Sequence, residues 1–304
     1  RLIGLALCAG PVQGQTDKYF TNTSRIVAAH GDSRVTFAVF MRRRVVAALE
    51  PAIRLIRHFV PDVEIRRFSA EGDVVPSESN VMEITGSMQK LSEIETLMLQ
   101  KIGFPCVSAN NAYEMCRALP AAAFMDMHAR HGSGAEMNIL AAYGAAAGSA
   151  AARRADPNVK GFVGSSQDIT APFFGASAGM GTMPHALVGY TDGDVLKAMK
   201  LFAESIPEVN NLTALVDYTG QEVTDSIRCA RWFYDEAKLQ DHGKTFGVRL
   251  DTHGGRFAEG LDYEKSVETV GHWLGVHGEY NIVEQVLGGR AFQLDPNNIL
   301  VDKV

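Results

Sequence analysis

The sequence predicts an α/β fold, a parallel β/α barrel preceded by a smaller unit of mixed strand and helix. Three observations point there. From about residue 109 the chain repeats strand, small-residue loop and helix, an order that implies parallel strands joined by crossovers, and this many units favour a barrel over an open sheet. Before that point the pattern differs, with short β-rich runs broken by turn residues. There is no GxGxxG, no GxxxxGK[ST] and no repeat of fixed period, so dinucleotide-binding, P-loop and solenoid architectures lose their signatures.

In chain order, "RRRVVAALEPAIRLIRHF" (42–59) is locally basic over an apolar helical pattern and reads as a solvated helix face before a phosphate or partner surface. "EIRRFSAEGDVVPSESNVMEITGS" (64–87) carries strand and turn chemistry. In "KLSEIETLMLQKIGF", Leu91, Ile94, Leu97, Met98 and Ile102 recur at helical spacing, and Gly103-Phe-Pro is expected to end that helix. The barrel strands are expected at 122–127, 161–166, 183–189, 212–218, 246–251 and 298–304. Helices are expected between them at "AEMNILAAYGAAAG", "DVLKAMKLFAESI" and "SVETVGHWLGVHG".

Composition bounds the function. A chain of 304 residues with 46% hydrophobic and 21% charged content can bury a large core. Its net charge of −6 lacks the basic footprint that nucleic-acid binding needs, and no stretch approaches the ~20 apolar residues of a membrane span. Cys8, Cys106, Cys116 and Cys229 have no CxxC spacing and read as reduced thiols of a cytoplasmic protein. The opening "RLIGLALCAGPVQGQ" imitates a short signal peptide, but the apolar run is short. The chain starts without Met and stops on an apolar run, so it is expected to be cut at both ends.

The polar residues gather at strand ends. Asp126, His128, Arg130 and His131 follow the first barrel strand, and Ser165, Ser166, Gln167 and Asp168 the second. His185 lies in the third; Asp217, Gln221 and Glu222 follow the fourth; Arg249, Asp251 and His253 follow the fifth. In a β/α barrel these ends meet at one face, so residues spread over 130 positions are expected to line one pocket. Arginines and histidines beside small-residue turns suit phosphate oxygens, while Asp217 and Asp251 could hold sugar hydroxyls, magnesium or an imidazole. Any single Asp or Arg here is as easily a structural ion pair, and a lone strand histidine a satisfied core residue. A metal-dependent hydrolase using His128, His131, His185 and Asp251 is also conceivable, although His-x-x-His after a strand does not aim both imidazoles the same way.

Seven collinear stretches, "TDKYF" (16–20), "EGDVVPSESNVMEITG" (71–86), "LSEIET" (91–96), "DMHARHGSG" (126–134), "GTMPHAL" (181–187), "LVDYTGQE" (215–222) and "GVRLDTHGG" (247–255), resemble the nicotinate phosphoribosyltransferases. These belong to the type II phosphoribosyltransferases, with the quinolinate and nicotinamide enzymes. The resemblance implies an incomplete α/β (TIM-like) barrel over 109–304 and an N-terminal α+β open-sandwich domain over 1–108, in homodimers or higher homo-oligomers that share active sites. It implies transfer of phosphoribose from phosphoribosyl pyrophosphate to nicotinic acid, with ATP as co-substrate and Mg2+, giving nicotinate mononucleotide on the route to NAD. His185 would be the histidine that ATP phosphorylates, oriented by Asp217. Substrate-binding residues would be Tyr19, stacking on the pyridine ring from the partner subunit, with Asp126, Arg130, His131, Ser165, Thr182, Arg249 and Asp251. Many relatives have Phe-Gly at the place of Met127-His128, which would make one face of the ring sandwich a thioether. Family members extend beyond residue 304, so a truncated, inactive or purely binding relative is the alternative, followed by a quinolinate or nicotinamide phosphoribosyltransferase, of which quinolinate use is disfavoured because a second ring carboxylate calls for more basic residues.

Overall fold

A computed structural model describes residues 10–252, residue 259 and the backbone of 292–294 and 300–302. Two compact units divide it, Arg1–Met180 and Gly181–Val304.

The first unit opens with helices α1 (Val12–Gln15) and α2 (Lys18–His30). Strands β1 (Arg34–Phe40), β3 (Glu64–Arg67) and β5 (Asn80–Ser87) form an antiparallel sheet of order β1-β5-β3, with Phe37 opposite Ile84 and Ile84 opposite Ile65. Burial along β5 alternates through Met82, Ile84 and Gly86, so one face is core. Helix α3 (Glu50–Phe59) buries Ala52, Ile53, Leu55 and Ile56. The helical reading of 42–59 is corrected in its first part: residues 45–46 form β2, paired with β4 (Val74–Val75), and the helix begins at Glu50. Pro51 explains that start, because a proline fits the first turn, where its missing N–H costs nothing.

Helix α4 (Met88–Ala118) buries Leu91, Ile94, Leu97, Met98 and Ile102, the stripe the spacing predicted. It does not end at Gly103-Phe-Pro but runs through Pro105 to Ala118. An interior proline costs about 3 kcal/mol, and packing against α5 (Ala135–Ala155) offsets it. A Cβ on Gly144 would overlap the Pro105 carbonyl, and one on Gly148 the Ala109 carbonyl, so the two backbones meet where side chains are absent. Between α4 and α5, β6 (Ala123–Asp126) pairs in parallel with β7 (Gly161–Ser165), making α5 the crossover.

In the second unit, β8 (Asn211–Leu215) and β9 (Thr245–Arg249) pair in parallel, with α8 (Glu222–Arg231) between them in sequence. Helices α6 (His185–Tyr190) and α7 (Val195–Ser205) precede them. The core holds Met183, Val188, Val195, Met199, Leu212, Leu215, Cys229 and Phe233. The strand expected at 183–189 is a helix. Pro184 is extended, at φ −86° and ψ 162°, and His185 starts the turn behind it. At the chain end, β10 (Phe292–Leu294) and β11 (Leu300–Asp302) pair antiparallel. His253 and the helix expected at "SVETVGHWLGVHG" lie outside the described residues.

Candidate active site

Parallel pairing places strand ends side by side, and in both units the polar residues cluster there. In the first unit Asp126 ends β6 opposite Ser165 at the end of β7. Both are buried, and the Ser165 hydroxyl lies 2.6 Å from that of Thr170 and 3.5 Å from Asp126 Oδ2. Asp126 Oδ1 accepts the His128 backbone N–H at 3.0 Å, which turns the chain into the 3-10 segment His128–His131. There Arg130 and His131 are exposed, Arg130 Nε lying 3.2 Å from His131 Nε2. On α2, Tyr19 is 62% exposed, with its ring 4.2 Å from that of Phe20. Thr16 and Asp17 tie this helix start to α4, Thr16 Oγ1 donating to the Glu93 carbonyl and Thr96 Oγ1 to Asp17.

In the second unit five expected residues meet. His185 Nε2 is 3.0 Å from Asp217 Oδ2, and its Nδ1 is 3.9 Å from Asp251 Oδ2. Arg249 donates through one amine to Asp251 Oδ2 at 2.7 Å and through the other to Thr182 Oγ1 at 3.1 Å. Burial separates the roles. The Asp217 side chain is 6% exposed and the His185 side chain 42%, so the carboxylate is sheltered and the imidazole can be reached. A carboxylate on one ring nitrogen fixes the neutral tautomer, leaving the lone pair on the other nitrogen for an electrophile.

Two contributions were not foreseen. Tyr218 lies 6.2 Å from the His185 ring at 33°, and a Cβ on Gly189 would stand 2.9 Å from its hydroxyl, which accounts for the glycine in α6. The Asp-Tyr dipeptide after β8 was the available signal. Glu222, recognised only as a strand-end carboxylate, is 2% exposed; its two oxygens accept from Thr252 Oγ1 at 3.0 Å and from the Glu259 backbone N–H at 2.9 Å. Glu259 in turn accepts from the Thr224 N–H and hydroxyl at the start of α8, which hold its carboxyl below the usual range.

The three described thiols, Cys106, Cys116 and Cys229, are all buried. Burial pushes Cys106 and Cys229 up to about 12 and raises Cys116, so thiolate is scarce at neutral pH. The "EGDVV" stretch serves the fold as well: the Glu71 carboxylate accepts the Leu49 and Glu50 N–H groups at 2.8 Å, capping α3, and receives the Tyr143 hydroxyl. Among the described residues, no three or more His, Cys, Asp or Glu side chains are placed to hold a metal ion, so the hydrolase reading finds no ligand set there. No described helix is long and apolar enough to cross a membrane.

Residues 17–106 match the family model of the quinolinate phosphoribosyl transferase N-terminal domain. The chain is similar to the crystal structure of nicotinate-nucleotide pyrophosphorylase from Pyrococcus furiosus, with a TM-score of 0.63 and 24% identity over 94% of this chain and 67% of that one. It is similar to human nicotinic acid phosphoribosyltransferase, with a TM-score of 0.59 and 16% identity over 88% of this chain and 67% of that one. NadC from Streptococcus pyogenes matches with a TM-score of 0.53 and 16% identity, over 95% of this chain and 81% of that one. Against curated protein sequences the chain has no match. The fold is thus the α/β fold of the type II phosphoribosyltransferases, with an N-terminal domain followed by a barrel-like one. This support is for the wider group and does not single out its nicotinate branch.

Proposed function

We propose that the chain is a nicotinate phosphoribosyltransferase, joining nicotinic acid to phosphoribosyl pyrophosphate and coupling that transfer to ATP through a phosphohistidine at His185. The observation that carries this reading is the His185–Asp217 pair, in which a reachable imidazole rests on a sheltered carboxylate beside Arg249 and Asp251. The imidazole attacks the terminal phosphorus of ATP, the bond to the bridging oxygen breaks, and ADP leaves; Asp217 stabilises the positive charge on the ring. In the transfer, the pyridine nitrogen bonds to the anomeric carbon as pyrophosphate departs. That carbon passes through an oxocarbenium-like state, so cations must hold the leaving group and stacking must align the ring. Arg249 and Arg130 supply cations, Arg249 pre-set by Thr182 and Asp251. Asp126, Ser165 and His131 complete the proposed substrate contacts.

Magnesium would screen the polyphosphates. Asp217 and Asp251 are hard oxygen donors, and Mg2+ commonly combines one or two carboxylates with phosphate oxygens and water. Tyr19 would reach the ring from a partner subunit, as its exposure on α2 allows. The division into an N-terminal domain, 1–108, and a barrel, 109–304, is part of this reading.

A quinolinate-using transferase is the second reading, favoured by the N-terminal family match. Nucleotide formation from nicotinate, nicotinamide and quinolinate, each with and without ATP, separates them. ATP-stimulated product from nicotinate supports the proposal; ATP-independent product from quinolinate alone, with release of carbon dioxide, overturns it.

A further inference from the structure

Besides Thr182 and His185, the catalytic candidates of the second unit come from two segments, 217–222 after β8 and 249–252 at the end of β9 and beyond it. Strand pairing ends at Arg249: Leu215 pairs with it, and the Val216 N–H to the Arg249 carbonyl, at 3.3 Å, is the last backbone link between the strands. Asp217 and Asp251 therefore lie beyond the ladder, where something else must hold the two segments in register. Glu222 is placed to do so. It lies on the first segment, at the start of α8, and its buried carboxylate takes the Thr252 hydroxyl, one residue past Asp251, and the Glu259 N–H. Glu259 then returns to α8 through Thr224, at 2.7 Å to its N–H and 2.5 Å to its hydroxyl, so the link is doubled. A buried carboxylate is costly unless its oxygens are hydrogen-bonded, and here that need is met by groups on the chain leaving β9.

Resting on the function proposed above, we infer that Glu222 is a positioning residue: through Thr252 it sets the Arg249–Asp251 pair against the His185–Asp217 pair, and so tunes the site's hold on pyrophosphate and on phosphoribosyl pyrophosphate. It touches neither substrate. Its effect travels through the Thr252 hydroxyl and the Glu259 backbone N–H.

The test compares Glu222→Ala, Glu222→Gln and Thr252→Ala in the full chain, reading KM and kcat for phosphoribosyl pyrophosphate, calorimetric binding of inorganic pyrophosphate, and thermal melting. Gln keeps the shape and one acceptor for the Glu259 N–H, while its amide can donate to Thr252, whose hydroxyl is able to accept. Glu222→Gln should therefore stay within threefold of the wild type in both constants. Glu222→Ala should raise KM and weaken pyrophosphate binding at least fivefold. Thr252→Ala should move both in the same direction by less, with melting close to the wild type. A purely structural role would instead lower apparent kcat by reducing the folded fraction, leaving KM alone. Unchanged KM and pyrophosphate affinity in folded Glu222→Ala overturns the inference; if that variant does not fold, unchanged values in Thr252→Ala overturn it. A wild-type chain that makes no nucleotide and binds no pyrophosphate overturns the proposed function, and this inference with it.

Discussion

In the proposed function His185 and Asp217 divide one task between them: the Asp217 side chain, 6% exposed, orients the imidazole, and the His185 side chain, 42% exposed, is left open to the incoming phosphate. Asp217→Asn keeps the shape but removes the negative charge, so ATP turnover should fall by roughly 100-fold, the low end of general acid–base effects, while melting stays near the wild type; steady-state phosphate release checks this. The titration of Glu259 gives a second residue-scale expectation. Thr224 holds its folded value below the ordinary carboxylate range, so its contribution to stability is present above the unfolded value and is lost as pH falls through the depressed one. Thr224→Val should weaken that acid limb, and urea melts between pH 7 and pH 3 would show it. The thiols behave oppositely. Cys106, Cys116 and Cys229 are buried and raised, so all three should resist alkylation at pH 8 in the native state and react once urea unfolds the chain, as read by mass spectrometry.

The elements were legible wherever period and length agreed. The α4 stripe from Leu91 to Ile102, the paired β6 and β7, and the paired β8 and β9 all stand where hydrophobic pattern and turn residues put them. Two misreadings have different causes, a tertiary contact that overrides a local signal and a run too short to show its period. Pro105 is a local stop signal, yet helix α4 continues because Gly144 and Gly148 of α5 admit its backbone, a contact about 40 residues away in sequence. "MPHALVG" is a short apolar run that periodicity alone cannot assign, and Pro184 followed by His185 resolves it as a helix start. At the site, His185, Asp217, Arg249, Asp251 and Thr182 could be chosen from motif and strand end, whereas the Glu222–Glu259 link depends on folding two distant residues together and left no sequence pattern. The α4–α5 contact gives a paired prediction. Gly148→Ala puts a methyl onto the Ala109 carbonyl and should destabilise by about 1–3 kcal/mol. Gly103→Ala in α4 meets nothing within 4 Å and should stabilise by roughly 0.5–1 kcal/mol through helix propensity. Chemical denaturation of both separates contact from propensity.

At the scale of the whole molecule, the proposed function links assembly and chemistry through α2. Tyr19 and Ile26 are 62% and 61% exposed on that helix. If Tyr19 serves a partner's site, light scattering at micromolar concentration should report a dimer, and Tyr19→Ala should raise KM for nicotinate in particular; a fully active monomer contradicts this. The central claim, phosphoribosyl transfer driven by a phosphohistidine, is tested most directly by measuring phosphate release and nicotinate mononucleotide formation side by side in the wild type and in folded His185→Ala. The account predicts that the variant loses ATP hydrolysis and the ATP-driven gain in turnover while a slower, ATP-independent transfer survives, since the cations and the stacking belong to other residues. Undiminished ATP hydrolysis, still coupled to product in His185→Ala, would contradict it.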